Sequence, residues 1–216
     1  MTRLGLGVPV VITIVVAGVA IAQGSGSGSS VETLAPCSTP QVPWRPSRSL
    51  GASNDGRLVA GVRLPRQGPD HFTWDPVLQR SPNRGWRRWA AFDTVDRALR
   101  VICKLRRANP QAPRIGIGDL SRRSGGDFGS AFGGLGHASH QNGLDIDVYY
   151  PRLNRVERGV RRPGQADFPL SQELLSRMVK AGAQYVFVGE HTPLHGRRGV
   201  VMRWPNHDDH MHVRFP

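Results

Sequence analysis

The chain has 216 residues, room for one ordinary domain and a leader, and 38% of them are hydrophobic, a globular rather than a disordered balance. Its formal net charge is +13, nearly all from arginine, but no helix-turn-helix, zinc finger or aromatic RNA-binding motif accompanies that charge, so no nucleic-acid partner is expected. With 26 glycines and 17 prolines the composition argues against a helical bundle and for a loop-rich domain.

Residues 4–22 are almost wholly apolar, follow Arg3 and end in the small-x-small run Ala20-Ile21-Ala22. Residues 1–22 therefore read as a secretory signal peptide, or as an uncleaved membrane anchor, because about nineteen apolar residues just span a bilayer. Either way the remainder is exported: periplasmic, cell-wall-associated or extracellular, touching a membrane only through this segment. Residues 23–55 begin QGSGSGSS, stay polar and Pro-rich, and read as a flexible linker. Cys37 and Cys103 are the two cysteines of the chain. Export permits a disulfide between them; the alternative is two unrelated thiols.

The domain expected over 56–216 opens with short apolar runs at 58–64 and 71–74. The aromatic and basic segment 84–89 could line a groove, but ordinary packing is the reading preferred here. Asp93 is placed to cap a helix over 94–108, whose Val95, Leu99, Ile102 and Leu105 recur at helical spacing. Ile115 and Ile117 form a short strand into Asp119. The glycines around Gly126 permit either close backbone approach to a ligand or a loose loop. Ser171 is placed to cap a second helix running to about 181, and further strands are expected at 185–188, 200–204 and 211–215.

The densest chemistry lies in GHASHQNGLDIDVYY, residues 136–150. Leu144 to Val148 alternates apolar and acidic, the period of a half-buried strand, which puts Asp145 and Asp147 on one face and the apolar residues on the other. His137 and His140 precede it, and Gly143 allows a sharp turn between. A catalytic zinc takes three protein ligands. A further histidine is available in PNHDDHMHVRF, residues 205–215, where His210 and His212 share a strand face. Imidazoles suit zinc, whereas calcium and magnesium prefer oxygen. Between Asp145 and Asp147 the residues alone do not choose a ligand. His71, His191 and His195 read as ordinary histidines.

His140 with Asp147 seven residues on, followed by a distant HxH, resembles the zinc signature of the LAS-type peptidases. IGDLSRRSGGDFG, SHQNGLDIDVYYP and HDDHMHVRFP are most similar to penicillin-insensitive murein endopeptidases, over residues 56–216. The resemblance implies an α+β domain: a small central antiparallel sheet carrying the zinc site, flanked by a few helices and long loops. It implies one Zn2+ per chain on His140, Asp147 and His212, with His137 able to join. Asp145 would then orient a histidine. His210 and His207 would move protons, and Asp119, Ser121 and Gly126 would meet substrate. Where some relatives carry a Glu-x-x-His base, this chain has Asn206-His207-Asp208-Asp209, so the base stays open between the two histidines. The implied reaction is zinc-dependent hydrolysis of D-alanyl cross-links in peptidoglycan, without a serine for penicillin to acylate. The implied partners are peptidoglycan stem peptides, with anionic cell-wall polymers as natural counter-charges to the basic surface. The alternatives are a D,D- or L,D-carboxypeptidase and a non-catalytic, zinc-containing wall-binding domain.

Overall fold

The structure, a computed structural model, describes residues 36–37, 41–129 and 138–216. The leader expected at 1–22, the first half of the linker and His137 lie outside the described residues. A hairpin of β1 (Arg48–Gly51) and β2 (Gly56–Val59) comes first. β3 (Val62–Arg63), β4 (His71–Thr73) and β5 (Trp89–Ala90) follow, and β3 pairs with β5. Next come α1 (Phe92–Ala108), β6 (Ile115–Ile117) and β7 (Asp145–Tyr149). The chain ends with α2 (Phe168–Lys180), β8 (Tyr185–Val188), β9 (Val201–Arg203) and β10 (His210–Arg214).

The central sheet has six strands in the order β4-β6-β7-β10-β8-β9. Its middle, β6-β7-β10-β8, is antiparallel as expected for this α+β domain. Each edge adds a parallel pair that the sequence did not announce, β4 with β6 and β8 with β9. The last strand of the chain therefore lies at the centre of the sheet. One sheet face carries Ile146, Val148, Val186, Val188, Met211 and Val213 into the hydrophobic core. Val95, Leu99, Ile102 and Leu105 of α1 and Leu174, Leu175 and Met178 of α2 join the same core. Each such side chain contributes about 1.5–3 kcal/mol when fully buried. Period-3.6 stripes on two helices thus close over a period-2 face of the sheet.

Both helix starts differ from the sequence expectation. α1 begins two residues early, with Ala91 as its N-cap and no side-chain cap. Asp93 sits inside the first turn, where its charge still favours the helix dipole. An outside residue satisfies one free amide there: Phe92 N–H donates to Ser47 Oγ at 3.1 Å. In α2 the cap is Asp167, which accepts from the Leu170 N–H at 3.1 Å; Ser171 lies in the helix. Pro169 occupies the first turn, where its missing N–H costs nothing.

The linker expected over 23–55 runs too far. β1, the buried Val42 and Ser47 all belong to the folded domain. Their polar composition concealed this, because β1 owes its place to backbone pairing with β2. A Cys37–Cys103 disulfide, across 66 residues of chain, ties the segment before β1 to α1. Replacing both cysteines with serine should lower unfolding stability by about 2–4 kcal/mol, the usual worth of a bridge closing a long loop. Denaturant titration of the oxidised protein against the double variant reads this directly; equal midpoints would mean that the segment is held by its other contacts alone.

Candidate metal centre

The site is built on the pairing of β7 with β10. Their register sets Asp147 opposite His212, Asp145 opposite Arg214 and Tyr149 opposite His210. Residues directly opposite in an antiparallel pair project to the same face. The face opposite the core therefore carries six polar or aromatic side chains in three rungs. β7 is buried along its whole length, not half-buried as its alternation suggested. Its acidic face is covered by histidines and Arg214 instead of water.

His140 reaches the same place from the loop before β7. Gly143 makes the turn between them with φ 78°, and a Cβ there would press on Leu58 and the Ala91 backbone nitrogen. His140 itself takes φ 72°, a region rare outside glycine, which costs on the order of 1–3 kcal/mol. Its backbone N–H donates to Asp145 Oδ2 at 3.2 Å, which helps to hold that conformation. The Phe128 ring packs edge-on against the imidazole, centroids 6.2 Å apart.

Among the described residues, His140, Asp147 and His212 offer ligand atoms that all lie within 4.8 Å of one another. His140 Nε2 lies 3.3 Å and His212 Nδ1 3.1 Å from Asp147 Oδ1. Around a tetrahedral zinc with bonds of about 2.0–2.1 Å, neighbouring ligand atoms stand about 3.3 Å apart. Two nearly perpendicular imidazoles and one carboxylate, all buried, therefore fit a zinc ion in both donor type and spacing.

Asp145 is not part of that triad; it orients it. Its Oδ1 lies 3.1 Å from His212 Nε2, and its Oδ2 accepts from Arg214 at 2.7 Å. A carboxylate already paired with a guanidinium accepts the Nε2 proton, so Nδ1, facing Asp147 and His140, is the nitrogen that a metal would take once its proton is lost. Arg214 also donates to Asn142 Oδ1 at 3.2 Å. Arg214 and Asn142 were not singled out from the sequence; the +2 spacing of Arg214 from His212 was the available signal.

Protonation in this cluster is coupled to its charges. Burial works against ionised Asp147, but the charges of His140 and His210 and the histidine hydrogen bonds hold its pKa well below the usual carboxylate range. Burial likewise opposes a charged His212, yet Asp145 and Asp147 push its pKa up to about 9. Burial and the neighbouring His210 push His207 down to about 4. His210 is raised: burial opposes its charge, but Asp147 and Asp209 outweigh it. Its Nδ1 lies 2.6 Å from Asp209 Oδ1, and its Nε2 3.8 Å from Asp147 Oδ1.

A cleft of about 700 Å³ opens over the centre, lined by Asp147, His207, His210 and His212. Tyr149, Tyr185, Phe187 and the half-exposed Trp204 form aromatic walls. Phe187 packs against Trp204, His207 and His212, with centroids 5.2–5.9 Å apart. Asp119, Ser121 and Gly126 do not line this cleft. Asp119 and Ser121 are fully buried. The Asp119 carboxylate pairs with buried Arg87 and accepts from Asn83 at 2.9 Å. Gly126 takes φ 83° and donates its N–H to Gln141 O at 2.9 Å. His191 pairs with Asp208, and His71 is buried in β4.

Residues 49–191 match the family model for penicillin-insensitive murein endopeptidases. The chain belongs to that family. The match contains His140 and Asp147, whereas His207, His210 and His212 lie beyond it. The penicillin-insensitive murein endopeptidase of Escherichia coli O157:H7 is 28% identical over 128 residues, which is 56% of this chain and 40% of the relative. That of Citrobacter koseri is 27% identical over the same length and shares. That of Yersinia enterocolitica is 24% identical over 198 residues, 78% of this chain and 66% of the relative. The chain thus spans about 40% of the length of the first two relatives.

A metal bound by this family member must displace the proton that His212 holds below a pKa of about 9. Zinc affinity should therefore rise as pH rises through neutrality, by up to about tenfold per pH unit for each proton released. Competition with a chromophoric chelator at pH 6, 7 and 8 measures it. An affinity flat across that range would contradict protonated imidazole at the triad.

Proposed function

We propose that the domain is an exported zinc peptidase that hydrolyses D-alanyl cross-links between stem peptides of peptidoglycan, and that penicillin does not inhibit it. The observation that carries this reading is the buried His140–Asp147–His212 triad, of which Asp147 and His212 line an aromatic-walled cleft. Family membership and the names of the relatives support the substrate. The disulfide supports export, since such bridges persist in oxidising compartments.

His140, Asp147 and His212 would hold the ion. A zinc bound there supplies a Lewis acid that makes water nucleophilic near neutral pH. Asp145, braced by Arg214, keeps His212 in the ligating tautomer. Tyr149, Tyr185, Phe187 and Trp204 seat the small apolar side chains of the cross-link and keep bulk water off the amide. His210 and His207 face the same space, with ring centroids 4.9 Å apart. Asp209 fixes the His210 ring through Nδ1, so Nε2 is the atom that passes a proton to the departing amine. His207, its Nδ1 2.7 Å from Pro205 O and its charged form disfavoured by burial, offers the lone pair of its other nitrogen to a proton of the attacking water.

Purified sacculi and a cross-linked muropeptide dimer are the substrates for the test. Chelation should abolish conversion of dimer to monomers, penicillin should leave it unchanged, and labelled penicillin should not attach. Release of single D-alanine from monomers, with dimers left intact, would replace the endopeptidase reading with a carboxypeptidase.

Exchange of single histidines separates metal holding from proton transfer. His212→Ala should lose both zinc and activity. His210→Ala should keep zinc and lose turnover by about 10²–10⁴-fold, the usual share of a positioned acid or base. His207→Ala should behave like His210→Ala with a smaller loss. Zinc per chain beside the cleavage rate decides the matter: metal lost from His210→Ala and retained by His212→Ala would reverse the two roles.

A further inference from the structure

The loop that leaves β4 has two sides. Pro76 and Gln79 line the cleft, while the residues from Arg80 onward line a separate pocket of about 420 Å³. Five arginines border that pocket: Arg63, Arg66, Arg80, Arg84 and Arg88. No carboxylate lines it. Two acids stand beside it, and both are engaged: Asp75 accepts from the N–H groups of Val77 and Leu78 at 2.9 Å and pairs with Arg84 at 2.6 Å, and Asp119 pairs with Arg87 and accepts from Asn83. The other four guanidiniums have no ion pair among the described residues.

Two details mark this as a built site and not a charged surface. Arg88 is 3% exposed. One of its terminal nitrogens donates to Leu64 O, while its Nε has no hydrogen-bond partner. Burying a guanidinium among like charges is costly without an anion. Burial, with Arg63 and Arg66 nearby, pushes its pKa down to about 10. The second detail is Gly85. A Cβ there would lie 3.7 Å from both Arg63 Nη1 and Arg88 Nη2, so the absent side chain leaves open space between two guanidinium nitrogens.

We infer that this pocket binds a phosphate group, held by Arg63, Arg66, Arg80 and Arg88 over Gly85. Several guanidinium forks lining one pocket suit a tetrahedral oxyanion, which can accept from more than one of them. The phosphate is carried by an anionic wall polymer, which would dock the domain beside its cleft; this source rests on the peptidoglycan reading above, while the binding of phosphate does not.

The test uses calorimetric titration of the zinc-loaded protein with inorganic phosphate, poly(glycerol phosphate) and polyglutamate at about 0.15 M salt. Two variants accompany it. Arg66→Gln with Arg80→Gln removes two exposed charges. Gly85→Ala fills the cradle and leaves the net charge unchanged. Inorganic phosphate and poly(glycerol phosphate) should both bind, and each variant should weaken binding by about tenfold or more. Zinc content and cleavage of a soluble muropeptide dimer, read on the same samples, should stay at the wild-type level. Failure of that cleavage in the wild type would therefore sink the peptidase reading without touching this one. No binding of either phosphate probe, binding that Gly85→Ala leaves intact, or equal binding of polyglutamate overturns the phosphate site. Binding of inorganic phosphate without the polymer overturns the wall polymer as its source.

Discussion

The pairing of β10 with β7 is the constraint on which the rest of this structure depends. Backbone hydrogen bonds between them set Asp147 against His212 and Asp145 against Arg214. A slip of one residue would send His212 and Asp147 to opposite faces and bring Met211 or Val213 out of the core. The geometry of the triad and the packing of the core are therefore locked to one register. Ile146, Val148, Met211 and Val213, all fully buried, enforce it from the other side of the sheet.

The polar face has its own balance of charge. Asp145, Asp147 and Asp119 are buried, and each is compensated: Asp145 by Arg214 and His212, Asp147 by histidines, Asp119 by Arg87 and Asn83. Breaking a buried pair by removing one partner costs about 3–5 kcal/mol, because the remaining charge stays out of water. The Arg87–Asp119 pair lies close to the centre. Arg87 stacks near Trp86 and Phe128, and Phe128 packs on His140. The interior ion pair thus props the one triad member that no strand carries. The same segment supplies Arg84 and Arg88 of the second pocket, while Arg63 and Arg66 come from β3 and the loop after it.

Several sequence readings erred for one shared reason. Asp93 and Ser171 are good cap residues by type, yet the N-cap of α1 is Ala91 and that of α2 is Asp167. The helix ends were decided by Ser47, which arrives from a remote segment, and by Pro169, which suits the first turn. The supposed linker joined the domain through backbone pairing and a disulfide, neither of which leaves an apolar pattern. The resemblance implied that Asp119 meets substrate, whereas the structure buries its carboxylate against Arg87, 32 positions earlier in the chain.

Local pattern was enough to determine the two strands that carry the triad and which of their side chains share a face. The two-residue period from Leu144 to Val148 and in His210-Met211-His212 states which side chains share a side, and that much is a property of the backbone itself. The donor types, two imidazoles and a carboxylate, likewise named zinc before any geometry was known. What tertiary structure alone decided is partnership. Asp147 rather than Asp145 stands with both histidines because the register of two strands 65 residues apart places it there, and because Arg214 claims the other carboxylate. Long-range pairing is chosen by the summed burial of a whole core, and no short stretch of sequence holds that sum.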